Sequence, residues 1–177
     1  MSPAAGGLIA GAAASPPREA MEGSQPVSTL DLKGLPPGLR HLARRVGAAA
    51  RTALGVHEVS TYALSITFVN DREIARLNRR ALGREGPTDV IAFDLSEKGL
   101  PYGVVGDVYI SLDRARANSR TFKVSESEEI IRLVVHGILH LVGHKDDTGP
   151  RRRRMELVQE RMVRRLLDKQ RKPAGPE

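Results

Sequence analysis

Three histidines fall within nine residues in the stretch HGILHLVGHKD, which runs from His136 to Asp146, and the chain has only five histidines in all. His136 and His140 are four apart, a spacing that puts both imidazoles on one face of a helix. Two neutral imidazoles so placed can chelate one divalent cation. Gly143 then breaks the segment, and two residues beyond it could supply a third ligand. His144 follows the turn directly. Asp146 stands ten residues after His136, the position from which a chain that folds back after H-x-x-x-H-x-x-G returns to the same ion, and aspartate is an acceptable zinc ligand. The spacing therefore favours His136, His140 and Asp146 as a metal-binding set, with His144 as the alternative third ligand. Two imidazoles and one carboxylate leave one coordination place open, the layout of a catalytic site. The residue after His136 is Gly137, where H-E-x-x-H proteases carry their general base, so peptide hydrolysis is not expected.

The elements that must position these residues can be read from periodicity. Ser125 to Glu128 has the form of a capping box, with acids in the first turn where the helix dipole favours them. The helix it opens is expected to run to about Val142. Ile130, Leu133, Val134, Val135, Ile138, Leu139, Leu141 and Val142 go nearly all round it, the mark of a buried helix. Gly143 suits the position just past its end. A last helix is expected from about Arg151, with Met155, Val158, Met162 and Leu166 as its core stripe. Upstream, Pro36-Pro37 can open a helix that carries Leu39, Leu42, Val46, Ala50 and Ala53 and ends at Gly55. Residues 64–69 alternate as a half-buried strand does. Asn70 and Glu73 form another capping box, ahead of a helix bearing Ile74 and Leu77. Strands are expected at 90–93 and 108–110, and a short helix over 113–119. Asp89, at the start of a strand, could face the metal or cap the strand.

Charge is unevenly placed. The net charge of the 177-residue chain is +7, and residues 151–172 hold ten Lys/Arg against three Asp/Glu, so this one segment accounts for the excess. The run Arg151, Arg152, Arg153 and Arg154 is a candidate phosphate-binding patch, or else a solvated helix face. With three Phe, three Tyr and no Trp, stacking on bases is a minor term. The absence of cysteine excludes disulfides and thiolate metal sites and fits a reducing cytosol. No apolar run is long enough for a transmembrane helix, and the first residues lack the basic start of a secretory signal. Residues 1–28, rich in Ala, Gly, Ser and Pro, are expected to be a disordered tail, 29–172 a single domain, and 173–177 a second tail.

Several blocks carry a family resemblance: SITFVNDREIARLN at 65–78, PTDVIAF at 87–93, GDVYIS at 106–111, HGILHLVGHKD, and Met155 in the last helix. In order and spacing from about residue 60 to 167 the chain resembles the YbeY family of bacterial endoribonucleases. The resemblance implies an α+β fold, in which a small mixed β-sheet packs against helices around a central, buried, metal-bearing helix. It further implies a cytoplasmic, zinc-dependent, single-strand-specific endoribonuclease with one Zn²⁺ ion. Its role would be 3′-end maturation of small-subunit ribosomal RNA and ribosome quality control, with single-stranded RNA, ribosomal RNA and the small ribosomal subunit as partners and no membrane. The alternatives are a non-catalytic RNA-binding assembly factor with a structural metal, or a metal-dependent hydrolase of another substrate. Two positions depart from the family pattern. The usual third ligand is histidine, and Asp146 stands there; the arginine usual a few residues after the L-N pair is here Leu82, and Arg79, Arg80 or Arg84 could supply a nearby positive charge, with Arg84 taken as the candidate catalytic residue.

Overall fold

In the computed structural model, residues 8–9, 28–99 and 102–171 are described, without the side chains of 8–9 and 169–171. Five strands form one sheet: β1 (Leu8–Ile9), β2 (Thr29–Lys33), β3 (Tyr62–Val69), β4 (Val90–Asp94) and β5 (Val104–Ser111), in the order β1-β4-β5-β3-β2. The sheet is mixed. Only β4 and β5 are antiparallel; β1 with β4, β3 with β5 and β2 with β3 are parallel. Alternation decides its faces. Leu64, Ile66 and Phe68 of β3 and Val104, Val108 and Ile110 of β5 are buried, while Ser65, Thr67, Asp107 and Tyr109 lie on the other, less buried face. The residues expected as a tail lie outside the described ones, except Leu8–Ile9, which pairs at the sheet edge, and Ser28, whose Oγ donates to the Ser60 carbonyl at 3.1 Å.

Five α-helices follow: α1 (Ala43–Val56), α2 (Asp71–Leu82), α3 (Leu112–Phe122), α4 (Glu126–Leu141) and α5 (Gly149–Arg171). The architecture is α+β, and α4 is its centre, in contact with α1, α3, α5, β4 and β5. Gly137 shows how closely it lies on the sheet. A Cβ there would come within 2.5 Å of Val108 Cγ1 and 3.3 Å of Val90 Cγ2. The position that carries the base of a zinc protease is here a packing contact with no room for a side chain.

Four local expectations change. The helix opened by Pro36-Pro37 is a 3₁₀ helix over Pro37–Leu42 before it becomes α1, and Gly55 lies inside α1, which ends at Val56 with His57 as its cap. Strand β2 has no counterpart in the sequence reading; its five residues pair in register with Ala63–Thr67. The box at Asn70 and Glu73 is complete in both directions, whereas at α4 only the Ser125 half forms, because Glu128 turns to Arg132. The last helix begins at Gly149, two residues before Arg151, because Thr148 accepts from the Arg152 N–H at 2.9 Å and Pro150 suits a first turn.

Candidate metal centre

The site is built by the end of α4, the turn after it and the first turns of α5. Helix α4 stops in a Schellman motif: the His144 N–H donates to Leu139 O at 2.9 Å and Gly143 N–H to His140 O at 3.0 Å, with Gly143 at φ +94°. This closure turns the His144 carbonyl back toward its own helix, where it lies 3.1 Å from His140 Nδ1. A carbonyl can only accept, so His140 Nδ1 carries the proton and the Nε2 of the neutral ring is bare.

His136 is fixed in the same way by a longer chain of contacts. Its Nδ1 lies 2.8 Å from Gln159 Oε1 of α5, and Gln159 Nε2 lies 3.4 Å from Glu160 Oε1. Glu160 is also held by the Arg132 guanidinium at 2.7 Å. Burial pushes the Glu160 carboxyl up, but the Arg132 bonds and charge outweigh it and lower its pKa. A carboxylate only accepts, so the Gln159 amide turns its NH₂ to Glu160 and its oxygen to His136. His136 Nδ1 must then donate, and its Nε2 is bare too.

The two bare nitrogens face each other at 3.1 Å. Two lone pairs at that distance repel unless a proton or a metal cation lies between them. Bonds of about 2 Å in tetrahedral geometry place two ligand atoms about 3.3 Å apart, so the pair fits a divalent ion. Asp146 supplies the carboxylate: Oδ2 is 4.0 Å from His140 Nε2, and the ligand atoms of His136, His140 and Asp146 all lie within 4.8 Å of one another. Burial, and secondarily the neighbouring His136, lowers the His140 pKa to about 4 against an opposing pull from Asp146, so its ring is neutral and available as a ligand at neutral pH.

Of the sequence candidates, then, His136, His140 and Asp146 converge. The His144 ring does not join them. It packs edge-on against His57, with centroids 4.9 Å apart, and contributes its carbonyl instead. Arg84 follows the left-handed cap Gly83, and its exposed side chain has no ion pair or hydrogen bond among the described residues; Leu82 ends α2, half-buried. Arg151, exposed, and Arg152, half-buried, are both engaged by the loop. Arg151 binds the Asp147 carboxylate at 2.9 Å, and Arg152 donates to the Asp146 carbonyl at 3.2 Å, pinning the backbone that presents the third ligand. Asp89 is half-buried and accepts from Asn118 at 3.2 Å; desolvation raises its pKa.

Sequence reasoning missed Gln159. Its signal was present: it lies four residues after Met155, a polar residue on the stripe that otherwise faces the core.

An α+β domain whose central buried helix presents two histidines to a carboxylate in the following loop defines the class. A family model described as "Endoribonuclease YbeY" matches residues 35–167, and the chain belongs to this family. Among curated relatives, the Endoribonuclease YbeY of Aquifex aeolicus is 40% identical over 100 residues, 56% of this chain and 65% of that protein. That of Syntrophus aciditrophicus is 36% identical over 114 residues, covering 63% of this chain and 69% of the relative. The match to the Aquifex protein thus spans just under two thirds of its length. A solution structure of a Thermotoga maritima protein superposes with a TM-score of 0.55 at 23% identity, over 84% of this chain and all of that one, and supports the fold. No helix among the described residues is long and apolar enough to cross a membrane.

Proposed function

We propose that the chain is a metal-dependent endoribonuclease, zinc-dependent and specific for single strands, that acts in 3′-end maturation and quality control of small-subunit ribosomal RNA in the cytoplasm. Residues 29–172 form its working domain. The observation that carries this reading is the pair of bare imidazole nitrogens 3.1 Å apart with a carboxylate beside them, in a chain whose named relatives are endoribonucleases.

His136, His140 and Asp146 would hold the ion. A bound Zn²⁺ supplies Lewis acidity, polarising a phosphoryl oxygen and acidifying water. The chain's own residues prepare the place. Gln159 holds the His136 proton at Nδ1, and the His144 carbonyl holds that of His140, so both rings present a lone pair without a tautomeric change. Arg152 fixes the Asp146 backbone. Arg84, exposed after α2, is the candidate for stabilising charge that develops on the phosphoryl oxygens. Gly137 leaves no carboxylate where a zinc protease keeps its base.

The test is cleavage of a labelled single-stranded ribosomal RNA fragment by identically purified wild type, H136A, D146A and H144A, each loaded with Zn²⁺. Wild type and H144A should cut, and H136A and D146A should lose the activity. Equal cutting by all four would mark a contaminant. Zinc retained by a wild type that does not cut would favour a non-catalytic RNA-binding assembly factor.

A further inference from the structure

The run 151–154 is continuous in sequence, and the helix divides it. Successive residues on an α-helix point about 100° apart. Arg151 and Arg152 bind the loop, as described above, whereas the exposed Arg153 and Arg154 have no side-chain partner among the described residues. Two to three turns further along the outer side of α5, Arg161, Arg164 and Arg165 are exposed as well, with Leu157 between the two groups at 69% exposure. On the opposite side Met155, Gln159, Met162, Val163 and Leu166 are buried.

These five arginines make no ion pair among the described residues. Of the nearby acids, Glu160 is committed to Arg132, which leaves Glu156 and Asp168 exposed beside them. Like charges three and four apart on a helix repel, as Arg161 does with Arg164 and Arg165; Glu160, which feels the charge of Arg164, and Asp168 offset part of this, and an external polyanion would offset the rest. A membrane surface is a poor match. The apolar side of α5 is already used in the core, and a helix that lies in a bilayer interface needs that side free. Single-stranded RNA matches better. Arginine can bind phosphate and stack on bases, and an exposed leucine among arginines offers apolar contact to a base. The row also starts beside the candidate metal centre: Arg153 and Arg154 directly follow Arg152, which donates to the Asp146 carbonyl at 3.2 Å.

We infer that the outer face of α5 is the track on which single-stranded RNA lies as it reaches the metal centre, with Arg153, Arg154, Arg161, Arg164 and Arg165 taking phosphates and Leu157 touching a base. From Arg153 to Arg164 the track is about 16 Å long. The inference rests on the endoribonuclease reading for the identity of its ligand, and it can be tested apart from cleavage.

Binding of a labelled single-stranded RNA to the full chain is measured by fluorescence anisotropy across a salt series, with H136A as the background so that nothing is cut. R161Q/R164Q/R165Q is compared with R72Q/R76Q/R120Q, which removes three exposed arginines elsewhere; thermal melting of both establishes that they are folded. The first variant should lose at least tenfold in affinity at low salt. Its slope of log K against log salt should flatten by about 2, the value for three lost phosphate contacts on a single strand. The second should lose far less and keep its slope. Equal losses in the two variants, or no loss in the first, overturn the track even if the wild type cuts RNA. If the wild type does not cut and the first variant alone loses affinity and slope, the track stands and the nuclease reading falls. Capture of the wild type by phosphatidylserine vesicles without affinity for RNA would overturn it as well.

Discussion

The two halves of α4 bury groups that water would otherwise hold, and they compensate for this by opposite means. In the first half Glu129, 2% exposed, is met by Arg132 at 2.8 Å and by Asn118 at 3.3 Å, and Arg132 also reaches Glu128 and Glu160. Burial raises the Glu129 pKa and opposes the charge of Arg132, but three carboxylates around the guanidinium outweigh it and raise the Arg132 pKa. Every charge there has a partner within the chain. One turn further on, His136 and His140 have their Nδ1 atoms satisfied and their Nε2 atoms turned toward each other. The first half is electrostatically closed; the second asks for a cation. The closed half also serves the open one, since the same Arg132 holds the Glu160 that orients Gln159 against His136.

The largest effect should come from opening the closed half. R132L leaves Glu129 buried beside no cation, and breaking such a pair costs about 3 kcal/mol. A urea titration of the metal-free protein should show the midpoint fall, and an unchanged midpoint would mean that the Arg132–Glu129 pair contributes no net stability. Zinc affinity should also drop in this variant, because Glu160 loses its anchor.

Q159L acts on the open half alone. With the His136 tautomer no longer fixed, zinc affinity measured by competition with a chromophoric chelator should fall about 10- to 100-fold, as for other lost partners of metal-ligating histidines. Q159E, which keeps an acceptor for Nδ1–H, should recover much of it. Equal affinity in Q159L and wild type would show that Gln159 does not set the tautomer.

Acid should separate the halves by sign. The folded pKa of His140, about 4, lies below its ordinary 6.5, so the neutral ring contributes stability that is fully present above 6.5 and is lost as pH falls toward 4. For the metal-free chain this amounts to about 1–2 kcal/mol between about pH 7 and pH 5. Glu129 and Asp89, whose pKa values burial raises, act in the other direction: their ionised forms weigh against the fold at neutral pH, and acid relieves this. H140Q should therefore lose less stability than wild type over that interval in paired chemical denaturation curves. Parallel losses would place the acid sensitivity elsewhere.

The smallest effect belongs to H144A. It removes an edge-on contact with His57, of a kind worth about 1 kcal/mol, and leaves the carbonyl that holds His140. Zinc affinity should stay within a factor of two or so of wild type, an effect of a few tenths of a kcal/mol. A large loss would make the His144 ring a ligand after all.

What the sequence determined by itself is what neighbours along the chain decide. The i, i+4 spacing of His136 and His140, the caps at Asn70 and Ser125 and the stop at Gly143 follow from backbone geometry over a few residues, and the structure shows the helices and the turn where these predict them. The convergence of Asp146 was legible for the same reason, since a Schellman turn fixes the next few residues. Tertiary structure decided what depends on approach through space. Gln159, 23 residues beyond His136, sets its tautomer only because α5 packs on α4. Gly137 excludes a side chain only because Val108 of β5 lies beneath it. The four arginines at 151–154 read as one patch along the chain, yet Arg151 and Arg152 are engaged by the loop that carries Asp146 and Asp147 while Arg153 and Arg154 are not, because a helix rotates each residue away from the last and only the first two come within reach of that loop. Strand β2 gained its place from a parallel partner some thirty residues away; such pairing leaves no local mark, because its hydrogen bonds form between segments that only the fold brings together.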